Sequence, residues 1–151
     1  MFHKELIVAL VYAGGIVTGP YSIKGDVSGY ELIQLMIQYA LLAYVNLLLF
    51  ALFEYETDKL QQFSSLARTI GKTYTRYLVF ICLILVLTSA LINLFVWNSD
   101  TVMRDSQLIV ALMTVPLGCL LTWPQYFQHE DRYRLVGDAI FFIPLIFLWV
   151  M

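Results

Sequence analysis

Three acidic residues follow a long apolar run in this chain. Glu54, Glu56 and Asp58 come directly after the run that ends at Phe53, and Lys59 follows them. Glu54 and Asp58 are four residues apart, so on a continuous helix their side chains project from one face, about one turn apart. Such a pair of carboxylates can share a divalent cation that prefers oxygen ligands. Glu56 projects from a different side.

This placement has a functional and a simpler interpretation. Acids at the mouth of a membrane helix are costly unless water, a cation or a partner charge receives them, which favours a binding role. Alternatively, basic residues beside a membrane helix set its orientation or contact anionic lipid, and the acids neutralise them at the interface. Sequence alone leaves both interpretations open.

Composition places the chain in a membrane. Hydrophobic residues make up 60% of its 151 residues and charged residues only 13%, so too little polar surface exists to cover a soluble domain. The net charge is −2, and no nucleic-acid signature occurs. The first predicted partner is therefore the lipid bilayer, with no nucleic acid.

Five apolar runs predict membrane spans. A hydrocarbon core of ~30 Å needs ~20 apolar residues per helix. The runs are Leu6 to Thr18, Tyr30 to Phe53, Tyr77 to Trp97, Gln107 to Thr122 and Leu135 to Val150. The first is the shortest, and Gly19-Pro20 after it predicts a turn. The predicted fold is an all-α, polytopic membrane helical bundle with about five transmembrane helices.

The basic residues predict the orientation of this bundle. Of the nine basic residues, Lys24 and Arg104 fall on one side and seven fall on the other. The seven are Lys4, Lys59, Arg68, Lys72, Arg76, Arg132 and Arg134. Because cytoplasmic loops carry the excess of positive charge, we expect the N-terminus inside, the C-terminus outside and a multi-pass location in the cell (inner) membrane.

Polar and small residues within the spans predict how the helices pack. We expect interhelical hydrogen bonds from Gln34, Gln38, Asn46 and Asn93. Asn46 lies two turns before Glu54 and could face the same cavity. Small-residue pairs, which permit close helix approach, occur at Gly15-x-x-x-Gly19 and Thr114-x-x-x-Gly118. Cys82 and Cys119 are expected to be buried free thiols.

The acidic helix end resembles the second acidic motif of the UbiA superfamily of intramembrane prenyltransferases. That motif reads roughly Asp-x-x-x-Asp-x-x-x-Gly-x-x-Thr-Leu-Ala-x-x-x-Gly. The matching positions here are Glu54, Asp58, Gln62, Ser65-Leu66-Ala67 and Gly71-Lys72. The run from Lys4 to Val8 with the glycines that follow it resembles the family's fifth helix, and Arg134 to Asp138 resembles the start of its last. Residues 1–151 thus read as a single transmembrane domain, similar to the C-terminal half of a UbiA-type protein.

The resemblance implies a helical bundle around a cavity in which acidic motifs hold Mg2+ against the diphosphate of an isoprenyl donor. Glu54 and Asp58, with Asn46, are then the metal ligands, and Lys59, Arg68 and Lys72 bind the diphosphate. No catalytic residue is assigned. The family's first acidic motif, Asn-Asp-x-x-Asp-x-x-x-Asp, has no counterpart, which implies a missing N-terminal half or self-association.

Two other functions compete with this one. The chain also fits a non-catalytic small membrane protein, of the accessory or immunity type, that binds partners through its helix faces. A small transporter is disfavoured because no span pairs charges at mid-depth.

Overall fold

The structure, a computed structural model, describes residues 3–24, 29–63, 65–95 and 101–144. Every regular element in these ranges is helical. In chain order the helices are α1 (His3–Lys24), α2 (Gly29–Phe53), α3 (Tyr55–Leu60), α4 (Leu66–Ile70), α5 (Lys72–Phe95), α6 (Thr101–Thr122), α7 (Pro124–Gln128) and α8 (Arg132–Ala139). Two short 3-10 turns, His129–Asp131 and Ile140–Phe142, flank α8. The prediction of an all-α fold is confirmed over the described residues.

Three helices are long and apolar enough to cross a membrane. They are α2, α5 and the part of α6 from Met103 to Thr122. They contain the second and fourth predicted spans and the third as far as Phe95, while residues 96–97 lie outside the described part. The first predicted span lies in α1, of which the side chains of residues 17–24 are outside the described part. The fifth continues into residues 145–150, which are also outside it. The count of five spans stays a prediction.

The turn predicted at Gly19-Pro20 is wrong, because α1 continues to Lys24. A proline inside a helix of a membrane bundle is tolerated when neighbouring groups and local helix adjustments satisfy the freed backbone groups. The starts of the other spans also shift. Helix α5 begins at Lys72 and α6 at Thr101, several residues before the predicted apolar runs, because polar residues at the interface continue the same helices.

Helix α2 is the centre of the bundle. It packs against α1 on one side and against α5 and α6 on the other, and α5 and α6 also pack along each other. Fully buried side chains from these helices form one core: Leu42, Val45, Leu48 and Leu49 of α2, Val79 and Val86 of α5, and Val110, Met113, Leu117 and Leu120 of α6. The opposite face of α5 exposes large apolar side chains such as Phe80, Ile84 and Leu85, as expected of a surface that contacts lipid.

A buried amide network joins the three spans. Gln38 of α2 and Gln107 of α6 exchange hydrogen bonds, with Nε2 to Oε1 distances of 2.9 and 3.1 Å. The Gln38 amide also donates to the Ser89 hydroxyl of α5 at 2.9 Å. Asn93 instead donates to the Ser89 carbonyl in its own helix. The prediction of interhelical bonding is confirmed for Gln38, whereas the short Asn93 side chain bonds one turn back within α5 in the described structure.

The close helix approach occurs at a glycine that the sequence patterns did not indicate. A Cβ added at Gly15 or Gly118 would meet nothing within 4 Å in the described structure, whereas one at Gly137 would lie 2.5 Å from Asn46 Oδ1 and 2.6 Å from Phe50 Cε1. Gly15 and Gly118 therefore do not mark points of close approach, and the surroundings of Gly19 lie outside the described part. Gly137 lets α8 cross α2 closely.

Candidate functional site: the charged end of α2

The chain bends at the end of α2 without losing the helical path. Helix α2 stops at Phe53, Glu54 forms the bend, and α3 resumes at Tyr55. The Asp58 amide still donates to the Glu54 carbonyl at 2.8 Å, which is the four-residue bond of an α-helix. The two acids therefore stand one turn apart, both half-buried, while Glu56 is exposed.

The Glu54 carboxylate binds residues of α8. One of its oxygens, Oε1, accepts from Arg134 Nη2 at 2.8 Å and Nε at 3.1 Å, and from the Tyr133 hydroxyl at 3.2 Å. The ion pair is partly solvated, since 30% of the Glu54 side chain and 56% of the Arg134 side chain are exposed. It connects the end of the central helix to the start of the last described helix.

Aromatic packing holds Tyr133 in place for this contact. Tyr133 is buried, and its ring stacks on Phe53 with centroids 4.5 Å apart and meets Phe50 edge-on at 5.8 Å. Burial raises the pKa of the Tyr133 hydroxyl, the Glu54 charge adds to this, and Arg134 opposes it. The hydroxyl therefore remains a donor to Glu54 at neutral pH.

The basic residues expected to bind diphosphate reach the same segment by different contacts. Arg68 of α4 donates from Nη1 to the Phe63 carbonyl at 2.8 Å and to the Asp58 carbonyl at 3.4 Å. Lys72 of α5 places its ammonium 5.6 Å from the centroid of the Tyr55 ring, a cation–π distance. Lys59 is exposed beside Asp58.

Arg134 is a fourth cation at this end of α2. Its hydrogen bond to Glu54 raises the pKa of its guanidinium.

Asn46 is not brought together with the two acids. It lies eight residues before Glu54, which is about 12 Å along a helix at ~1.5 Å per residue, too far for one ion to be shared. Asn46 is buried, and its Oδ1 lies beneath Gly137 without a hydrogen-bond partner among the described residues. It lines a separate cavity that is formed with α1.

The loop after α3 has a residue in the left-handed region at the position of the motif's glycine. Gln62 has φ of 57°, a conformation that glycine adopts without the steric cost that a Cβ brings. Gly71, at the end of the motif, has φ of 91°. The backbone at both positions therefore has a positive φ, which glycine adopts readily, and the UbiA motif has glycine at both positions.

Sequence reasoning missed the partners of Glu54. Sequence analysis used Arg134 as an orienting charge and as the start of a segment that resembles the family's last helix, and it did not use Tyr133. They are 80 and 79 positions from Glu54, so no local spacing could reveal the contact.

In the described part of the chain, no group of three or more His, Cys, Asp or Glu side chains lies close enough together to hold a metal ion. Cys82 is a buried free thiol, as predicted, and Cys119 is free and half-buried.

In comparisons with known proteins, no family model, curated protein or solved structure matches this chain. The likeness to the UbiA superfamily therefore rests on the motif residues alone. Membership of that superfamily remains a prediction. The contacts at the charged end of α2 are the other observation that bears on function.

Proposed function

We propose that this chain acts as the C-terminal half of a UbiA-type intramembrane prenyltransferase, which handles an isoprenyl diphosphate with Mg2+ once the missing half is supplied. One observation carries the proposal. Cations from three other helices converge on residues 54–58: Arg134 on the Glu54 carboxylate, Lys72 on the Tyr55 ring and Arg68 on the Asp58 carbonyl. A diphosphate carries several negative charges and suits such a cluster.

Glu54 and Asp58 fit the requirements of a magnesium ion that is also held by substrate. Mg2+ usually takes one or two carboxylates together with waters and phosphate oxygens, and a pair one turn apart supplies two. Glu54 and Asp58 would hold the ion, which would supply positive charge that offsets the negative charge of the departing diphosphate. Asn46 takes no part in this ligand set.

The Arg134 guanidinium already pairs with the Glu54 carboxylate that would hold the ion. Its guanidinium neutralises the carboxylate, so a divalent cation must compete with an internal one at that oxygen. Once released, the guanidinium is well placed to bind phosphate oxygens in a bidentate manner. Arg134 therefore joins Lys59, Arg68 and Lys72 in the proposed diphosphate-binding set.

The missing half would come from a second chain or from self-association. A different chain would carry the first acidic motif and complete the metal site, whereas a second copy of this chain lacks that motif and would add only its own Glu54 and Asp58. The proposal includes the orientation deduced from the basic residues, with the charged end of α2 at the cytoplasmic face of the inner membrane.

The test compares two acidic residues that are two positions apart. Farnesyl diphosphate binding is measured on the full chain in nanodiscs, with and without Mg2+, for the wild type, Asp58→Asn and Glu56→Gln. We expect weak, Mg2+-dependent binding that Asp58→Asn reduces by about tenfold and Glu56→Gln leaves nearly unchanged, because Glu56 is exposed on another side of the helix. Equal losses in the two variants, or binding that ignores Mg2+, would contradict the proposal.

The contacts of Glu54 favour a second candidate function. The Glu54 carboxylate already accepts three hydrogen bonds from Arg134 and Tyr133. In the second function it binds no ligand, and its one role is to hold α8 against α2. The chain is then a non-catalytic membrane protein of the accessory or immunity type. That function predicts no binding of farnesyl diphosphate at all, together with faster amide hydrogen exchange in α8 of Glu54→Gln, because the carboxylate that holds this helix is lost.

A further inference from the structure

A cavity of about 620 Å³ lies between α1, α2 and the segment that follows α8. It is separate from the charged end, since neither Glu54 nor Asp58 lines it. Its walls are mainly apolar and include Phe141 and Phe142, and the Tyr12 ring meets Phe141 edge-on at 4.9 Å. The volume is within the range of small-molecule sites.

Two residues that line this cavity, Asn46 and Asp138, carry an amide oxygen and a carboxylate. Asn46, 5% exposed, lines it, and its buried Oδ1 has no hydrogen-bond partner in the described structure. Asp138, which follows the close-approach residue Gly137, also lines it. Asp138 is the seventh residue of α8, so it does not interact with the positive end of a helix dipole. An amide oxygen without a donor is costly when buried, and a carboxylate among mainly apolar walls favours a cation.

We propose that this cavity binds an amphiphile with an apolar body and a primary ammonium head. The ammonium offers three donors and no acceptor, which complements a lining that includes an amide oxygen and a carboxylate. Pairing with Asp138 offsets the cost of bringing the charge out of water, and the aromatic walls receive the apolar body. This inference does not depend on the proposed function at Glu54 and Asp58.

Two adjacent glycines of α1 provide a matched test of the location. Gly15 lines the cavity and Gly14 does not, and a Cβ at either position would meet nothing within 4 Å. Binding of dodecylamine to the full chain in mild detergent is measured for the wild type, Gly15→Leu and Gly14→Leu, after circular dichroism and gel filtration show that both variants are folded. We expect Gly15→Leu to weaken binding by about tenfold and Gly14→Leu to leave it unchanged.

The head group is tested with Asp138→Asn and with dodecanol. We expect Asp138→Asn to weaken dodecylamine binding by about tenfold and to leave dodecanol binding unchanged, and wild type to bind dodecanol less tightly than dodecylamine. Equal binding of the two compounds would overturn the proposed head group. Equal effects of the two leucine variants, or no dodecylamine binding, would overturn the site.

The ammonium group could belong to a membrane lipid or to a single-chain amine. Native mass spectrometry of protein taken from bilayers that contain phosphatidylethanolamine and phosphatidylcholine separates these sources. Retention of phosphatidylethanolamine alone, with displacement by dodecylamine, would identify a membrane lipid as the occupant. Dodecylamine binding without lipid retention would identify a single-chain amine. Retention of phosphatidylcholine in equal amount would overturn the requirement for a primary ammonium.

Discussion

Arg134 donates two hydrogen bonds to a single carboxylate oxygen of Glu54, at 2.8 Å from Nη2 and 3.1 Å from Nε. The two residues are 80 positions apart in the sequence, and their contact fastens the start of α8 to the end of α2. The same carboxylate is the first acid of the motif-like pair with Asp58. One side chain therefore serves both the packing of the bundle and the proposed ligand site.

Removing the Arg134 charge should loosen α8 and open Glu54 to cations. In Arg134→Gln we expect faster amide hydrogen exchange in residues 132–139 and tighter binding of Mg2+, because an internal competitor is lost. Arg132→Gln is the matched control, since the Arg132 guanidinium pairs with Glu130 only two residues away, at 3.0 Å. Hydrogen exchange followed by mass spectrometry, with and without Mg2+, measures both effects. Identical exchange in the two variants would show that the ion pair does not hold α8.

The Gln38–Gln107 pair should stabilise the three-helix core. Gln107→Leu leaves Gln38 Oε1 without its donor, and we expect a loss of about 1 kcal/mol in the free energy of unfolding. The double variant Gln38→Leu, Gln107→Leu should recover most of this loss, because no amide then remains unpaired. Equilibrium unfolding by steric trapping in detergent measures the cycle. Losses that simply add would mean that the two amides act independently.

Gln62 should be a position of backbone strain. Since its φ of 57° lies in the left-handed region, Gln62→Gly is expected to raise the free energy of unfolding by about 0.5 to 1 kcal/mol. The neighbouring Gln61, with φ of −86°, is the control, and Gln61→Gly should lower stability by roughly 0.5 kcal/mol. Chemical unfolding of both variants checks the signs. A destabilised Gln62→Gly would show that the loop bears no such strain.

Gly137 should not tolerate a methyl group. Gly137→Ala is expected to destabilise the bundle by about 1 to 2 kcal/mol, since the new Cβ would overlap Asn46 and Phe50. Gly118→Ala, where the added atom meets nothing within 4 Å, should be neutral or stabilising by up to about 1 kcal/mol. Thermal unfolding in detergent compares the two variants. Equal stability of the two variants would mean that α8 does not cross α2 closely.

The two ends of the bundle should label from opposite sides of the membrane. After Cys82 and Cys119 are replaced by alanine, Gln61→Cys should resist an impermeant thiol reagent added outside intact cells, and Thr101→Cys should react with it. Both positions are exposed on the protein, so the difference reports the side of the membrane. External labelling of Gln61→Cys would reverse the orientation expected from the basic residues.

The sequence by itself predicted the principal helices of this protein and their fitness, by length and composition, to cross a membrane. Hydrocarbon thickness dictates the length of a span, so the apolar runs that end at Phe53 and Thr122 predict α2 and α6 without tertiary information. The role of Gln38 was also predictable, because an amide in a span has few partners other than another helix. The four-residue spacing of Glu54 and Asp58 is likewise a local property of helical geometry.

Tertiary structure alone decided which residues meet. It placed Arg134 and Tyr133 on Glu54, moved Asn46 from the expected ligand set to a cavity with Asp138, and made Gly137 rather than Gly15 or Gly118 the point of close approach. Periodicity and composition report the helix to which a residue belongs and the chemistry it carries. They do not report the rotation and crossing of one helix against another, which depend on how all the side chains of the bundle pack together.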